Sequence, residues 1–138
     1  MELSRTILRF VLVAAYLFVG VVHLVSPDSF MPIVPEWVPW PRETILLTGV
    51  CEILGAIALM TVRLRTAAGV MLGLYAVCVY PANIKHALEG VVVGGTQLSW
   101  WYHAPRLAFQ PVIVWWALYA SGVIDWPFGR KNGETNVK

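Results

Sequence analysis

Four long apolar runs, separated by short polar or proline-rich segments, dominate the chain. They extend from about Thr6 to Val25, Thr44 to Val62, Thr66 to Asn83 and Leu107 to Ile124. Each approaches the roughly 20 residues, at about 1.5 Å of rise per residue, that a helix needs to cross the hydrocarbon core of a bilayer. The pattern predicts an all-α fold. A transmembrane four-helix bundle would occupy residues 1–128, followed by a polar cytoplasmic tail over 129–138. The first run follows Arg5 and Arg9, as in a signal peptide. It is long, however, and continues into His23-Leu24-Val25-Ser26-Pro27 without a small-x-small cleavage site, so it reads as a retained span.

Composition agrees with the periodicity. Of 138 residues, 58% are hydrophobic and 13% are Asp, Glu, Lys or Arg, and mean hydropathy is +0.67. A chain this short cannot hide that much apolar surface in a water-soluble globule. A soluble enzyme and a disordered chain are therefore excluded. The net charge of +2 leaves no electrostatic footprint for nucleic acid. Two cysteines do not make a disulfide framework.

The cations set an orientation. Arg5, Arg9, Arg63, Arg65, Arg130, Lys131 and Lys138 fall on one side, against Arg42, Lys85 and Arg106 on the other. Both termini and the Arg63–Arg65 turn should face the cytoplasm, most simply across a bacterial inner (plasma) membrane. The outer loops are then unusual. The first holds Pro27, Pro32, Pro35, Pro39 and Pro41, five of the nine prolines, which predicts a stiff, non-helical cap. Phe30, Trp37 and Trp40 in that loop, and Trp100, Trp101 and Tyr102 in the third, suit an aromatic belt, a lid over a cavity, or both. The third loop, from Ala87 to Tyr102 with Val91-Val92-Val93-Gly94-Gly95 inside it, is too short to span. In span three, Gly69-x-x-x-Gly73 would let a neighbouring helix approach closely, and Ala76, Tyr80 and Asn83 continue that face.

Polar and ionisable groups at membrane depth are costly and mark function or a required pairing. Here they gather in the outer half: His23, Glu52, Asn83, Lys85, His86, His103, Arg106 and Gln110. Three- and four-residue spacing puts Tyr16, Gly20 and His23 on one stripe, Thr48, Glu52 and Gly55 on another, and Arg106, Gln110 and Ile113 on a third. Turned inward, these stripes enclose a polar pocket opening outward. Glu52 lies about nine residues into span two, roughly 14 Å deep at 1.5 Å per residue. It should be paired, with Arg106 or with His23. Pro81 removes a helical donor and frees the Val77 carbonyl for a ligand or a polar neighbour. Cys51 and Cys78 fall at similar depth, although no Cys-x-x-Cys spacing exists. Three histidines and a glutamate are ligand types for a metal or haem, but they lack local spacing and come from different helices. No P-loop, dinucleotide fingerprint or nucleophile elbow is present.

Four segments resemble the DoxX-like family of small membrane proteins. They are Gly20-x-x-His23 with Pro27-x-x-Phe30 and Val34-Pro35; Thr48-Gly49-x-x-Glu52-x-Leu54-Gly55; Pro81-Ala82-Asn83; and Arg106-Leu107-x-x-Gln110. The resemblance covers nearly the whole chain. It implies a four-helix membrane fold and, through relatives tied to respiratory or thiosulfate:quinone oxidoreductase assemblies, redox work near a quinone. It marks His23, Glu52, Asn83, Arg106 and Gln110 as shared motif positions without assigning them a reaction. The chain lacks the paired cysteines that thiol exchange would need.

The expected function is binding of a lipophilic or redox-active molecule, preferentially a quinone, in the outward pocket. Asn83, Arg106, Gln110, Tyr80, His86 and His103 are the ligand-binding candidates. His23 and Glu52 are the candidates for handling protons. Electrons would come from a redox partner protein. The alternative is an accessory subunit, with a homo-oligomer as one form of its assembly, whose polar groups only fix helix register. A small transporter or channel ranks last, because no polar path crosses the inner half.

Overall fold

The computed structural model describes residues 2–90, 92 and 99–127. The tail expected over 129–138, and most of the Val91–Gly95 segment, lie outside the described residues. Within them the chain is helical, without a strand. Helix α1 runs Glu2–Val25, α2 Pro41–Met60, α3 Arg65–Cys78, α4 Tyr80–Glu89 and α5 Trp100–Ser121. Among the described residues three stretches are long and apolar enough to cross a membrane: Leu3–Val25, Pro41–Met60 and the joined Arg65–Glu89.

The differences from the expected boundaries have physical causes. Helix α2 begins at Pro41 rather than Thr44, because proline is tolerated at the first helical position, where its missing N–H is not needed. The proline loop is not wholly non-helical: 3₁₀ turns form at Pro27–Ser29 and Met31–Ile33, each with proline near its start. The third run continues to Glu89 and stops at Gly90, whose φ of 59° suits a left-handed cap, so the third loop starts later than Ala87. That run is also divided at Val79, two residues before Pro81. Helix α5 starts at Trp100, not Leu107. It is as long as the others but not among the three apolar stretches, because Arg106, Gln110, Pro105 and Pro111 interrupt it.

The helices associate as two close pairs. Helix α1 packs chiefly on α2, and α3 chiefly on α5. In the first pair Gly20 meets Gly49: a Cβ on Gly20 would lie 2.9 Å from the Gly49 carbonyl oxygen, and one on Gly49 2.9 Å from that of Gly20. In the second, Gly69 faces Ser121 and the Ala117 carbonyl, so the small-residue stripe is consumed inside the chain. The pairs join at the arginine-bearing end. There Arg5 bonds Asp125 and the Ile124 carbonyl, Arg9 Nε donates to the Ala120 carbonyl (2.9 Å), and Trp116 Nε1 donates to the Leu8 carbonyl (2.9 Å). Leu12, Val13, Tyr16, Ala56, Leu59, Ala68, Leu72, Ala117 and Ala120 fill the space between them. The outward surface is apolar, with Phe18 72% and Leu54 60% exposed.

Candidate functional site

Toward the proline-loop end the space between the helix pairs is not filled. A cavity of about 570 Å³ remains, with walls from α1, α2, α3, α4 and α5. That volume lies within the range of small-molecule sites. Phe30, Ile33, Val34, Pro35, Trp37 and Val38 of the proline loop roof it. The roof is tied down by Lys85 Nζ donating to the Val34 carbonyl (2.9 Å), by Arg42 Nε on Asp28 (3.1 Å) and by the Phe30 ring set edgewise on His23 at 4.4 Å.

One polar centre follows directly from the glycine crossing. The two helices run antiparallel, so each side chain faces the other helix's glycine: a Cβ on Gly49 would lie 2.9 Å from His23 Cβ and one on Gly20 3.2 Å from Glu52 Cβ, and the missing side chains let His23 and Glu52 approach each other. His23 Nδ1 lies 2.7 Å from Glu52 Oε2. Tyr75 on α3 donates its hydroxyl to Glu52 Oε1, also at 2.7 Å. Glu52 is only 3% exposed, and both of its oxygens accept a hydrogen bond. Tyr16 sets its ring edge against Tyr75 at 6.2 Å. This arrangement joins α1, α2 and α3 through one carboxylate.

A second centre comes from α5. The Glu52–Arg106 pair expected as one option is not formed. Arg106 Nη1 instead meets His86 Nδ1 at 3.0 Å. A guanidinium can only donate, so His86 accepts there and its ring hydrogen sits on Nε2. His103 lies edgewise on His86 at 4.6 Å, and Tyr102 stands beneath the Arg106 guanidinium at 5.9 Å. A third contact locks α4 to α5 and α3. Asn83 Nδ2 donates to Gln110 Oε1 (3.2 Å), and Gln110 Nε2 donates to the Ala76 carbonyl (2.6 Å). The carbonyl near the helix break that takes a side-chain donor is thus that of Ala76, one residue before Val77.

His23, Glu52, Asn83, Arg106 and Gln110 all line the cavity. His86 and His103 do not; they are buried behind Arg106 and set its position. Tyr80 is not on the lining either, because the break at Val79 interrupts the continuous face that would have carried it there from Ala76. Tyr75 was missed by the sequence reasoning. Its signal was a phenol in an apolar run, which needs a partner for its hydroxyl. Among the described residues no group of three or more His, Cys, Asp or Glu side chains could hold a metal ion. Cys51 and Cys78 are free and exposed.

Chemically, the cavity combines apolar walls, a cationic donor on α5 and a carboxylate–imidazole–phenol cluster drawn from α2, α1 and α3. Residues 12–121 match the family described as a domain of unknown function, DUF8561, and the chain belongs to that family. No curated protein and no solved structure matches it.

Proposed function

We propose that this chain is a four-helix membrane bundle, with both termini in the cytoplasm of a bacterial inner membrane, that binds a lipophilic, redox-active molecule in the roofed cavity. A quinone is the preferred ligand. The observation that carries this is the cavity itself: about 570 Å³ of mostly apolar space with Arg106 on one wall and the Glu52–His23–Tyr75 cluster on another. A quinone ring matches those walls. One of its carbonyl oxygens accepts from the guanidinium of Arg106. The other faces His23, where the imidazole and the carboxylate behind it are equipped to pass protons. Two-electron reduction of a quinone to a quinol consumes two protons, and the electrons come from a redox partner protein. Asn83 and Gln110, already bonded to each other, hold the wall rather than grip the ligand. The cation distribution and the DoxX-like motifs support the same reading.

The test is the absorption spectrum and mass spectrometry of whatever accompanies the purified protein. A lipophilic carbonyl compound should be retained by the wild type and lost from Arg106→Ala and Glu52→Gln. Equal retention by both variants contradicts the proposal.

One observation favours a second reading. Both oxygens of Glu52 are satisfied internally, as a purely structural network in an accessory subunit would be. In that case the substitutions would lower thermal stability and release nothing, and a partner would co-purify. The Gly69-x-x-x-Gly73 stripe weighs against it, because α5 already covers the stripe within the chain. A channel or transporter is disfavoured by the apolar core that fills the arginine-bearing half.

A further inference from the structure

The walls of the cavity are not closed all the way round. Ala15 and Val19 on α1 and Phe109 on α5 line it, yet they also belong to the outer surface: Val19 is 37% and Phe109 47% exposed. The hydrogen bonds that join α1 to α5 lie at the far, arginine-bearing end, through Arg5, Arg9 and Trp116. Nearer the roof, among the described residues, no side-chain hydrogen bond is seen between the two helices, and the gap between them is bordered by Ala15, Val19 and Phe109, all exposed. The opposite flank, between α2 and α3, is crossed by the Tyr75–Glu52 hydrogen bond. The water-facing end is covered by the proline loop, anchored by Lys85.

Resting on the ligand-binding function proposed above, we infer that the cavity is entered sideways from the lipid, through the α1–α5 gap, and that its ligand is an amphiphile with a compact oxygen-bearing head and a flexible apolar tail. The head sits inside, between Arg106 and His23. The tail leaves through the gap and lies among lipid chains, which are as favourable to it as a protein wall. A cavity of about 570 Å³ therefore needs to hold only the head and the start of the tail. A water-borne ligand would meet the anchored roof instead.

The experiment uses the full chain in lipid nanodiscs, with stopped-flow quenching of tryptophan fluorescence by a dimethoxy-methyl-benzoquinone bearing a decyl tail. Narrowing the gap with Ala15→Phe and Val19→Phe together should slow both association and release by about tenfold, with Kd held within about a factor of two, as expected for an entrance rather than a contact. Phe109→Ala, which widens the gap, should speed both. Lys85→Ala, which loosens the roof, should match the wild type. Faster entry in Lys85→Ala, or no slowing in the α1 variants, would overturn the lateral entrance while leaving the ligand-binding function in place. Absence of saturable quenching in the wild type would remove that function and the entrance with it.

Discussion

Glu52 is buried where α1, α2 and α3 meet. A buried carboxylate costs several kcal/mol unless hydrogen-bonded and paired, and here one oxygen takes His23 and the other Tyr75. Removing one neutral donor should cost modestly: Tyr75→Phe is expected to destabilise the protein by about 1 kcal/mol, read as a small fall in Tm in detergent. Glu52→Ala strands His23 and Tyr75 together and should cost about 3 kcal/mol, a clearly larger fall in the same measurement. Equal Tm values for the two variants would show that the cluster is not organised by the carboxylate. That Glu52 needs a partner was legible in the sequence, because ionisable groups inside apolar runs are costly. The partner was not. Whether Glu52 meets His23 or Arg106 depends on how the helices rotate about their axes, and periodicity places a residue on a face without saying which helix that face meets.

Among the elements, the rotation is set by the glycine crossing of α1 and α2. Backbone oxygens stand 2.9 Å from where a Cβ would be on Gly20 and on Gly49, so neither can accept a methyl without moving a helix. Gly73 differs: its nearest neighbours, on Leu118 and Val114, would lie 3.7–3.8 Å away, which is ordinary contact. Gly20→Ala and Gly49→Ala should each destabilise by about 1–3 kcal/mol, whereas Gly73→Ala should be close to neutral, all read from thermal unfolding in detergent. The reverse ranking would refute the role given to the crossing. Three of the helices were legible because apolar runs of that length have few other uses. Their ends were less so. Prolines that read as loop proved to open a helix at Pro41 and to sit in the first positions of the 3₁₀ turns Pro27–Ser29 and Met31–Ile33, since the same missing donor that breaks a helix interior is harmless at its first turn. The start of α5 was hidden by Arg106 and by aromatic residues that carry no clear apolar period.

Across the whole molecule, two tight helix pairs enclose an apolar core at the arginine-bearing end, and a cavity lies between them under the proline loop. The expected orientation puts that loop outside the cell. In a Cys51→Ser, Cys78→Ser background, Glu36→Cys should react with a membrane-impermeant maleimide on intact cells and Val62→Cys only after lysis; the opposite pattern would invert the topology. The clustering of polar residues in one half was legible from the sequence. The empty volume beside them was not, because periodicity places residues on helix faces without saying how closely the faces of different helices pack. The most direct test of the cavity's role is calorimetric titration of the nanodisc-embedded protein with the decyl-tailed benzoquinone. Saturable one-to-one binding, weakened by about tenfold or more in Arg106→Ala for loss of a charge-assisted hydrogen bond, is the expected result. Non-saturable partitioning, identical in wild type, Arg106→Ala and empty nanodiscs, would contradict it.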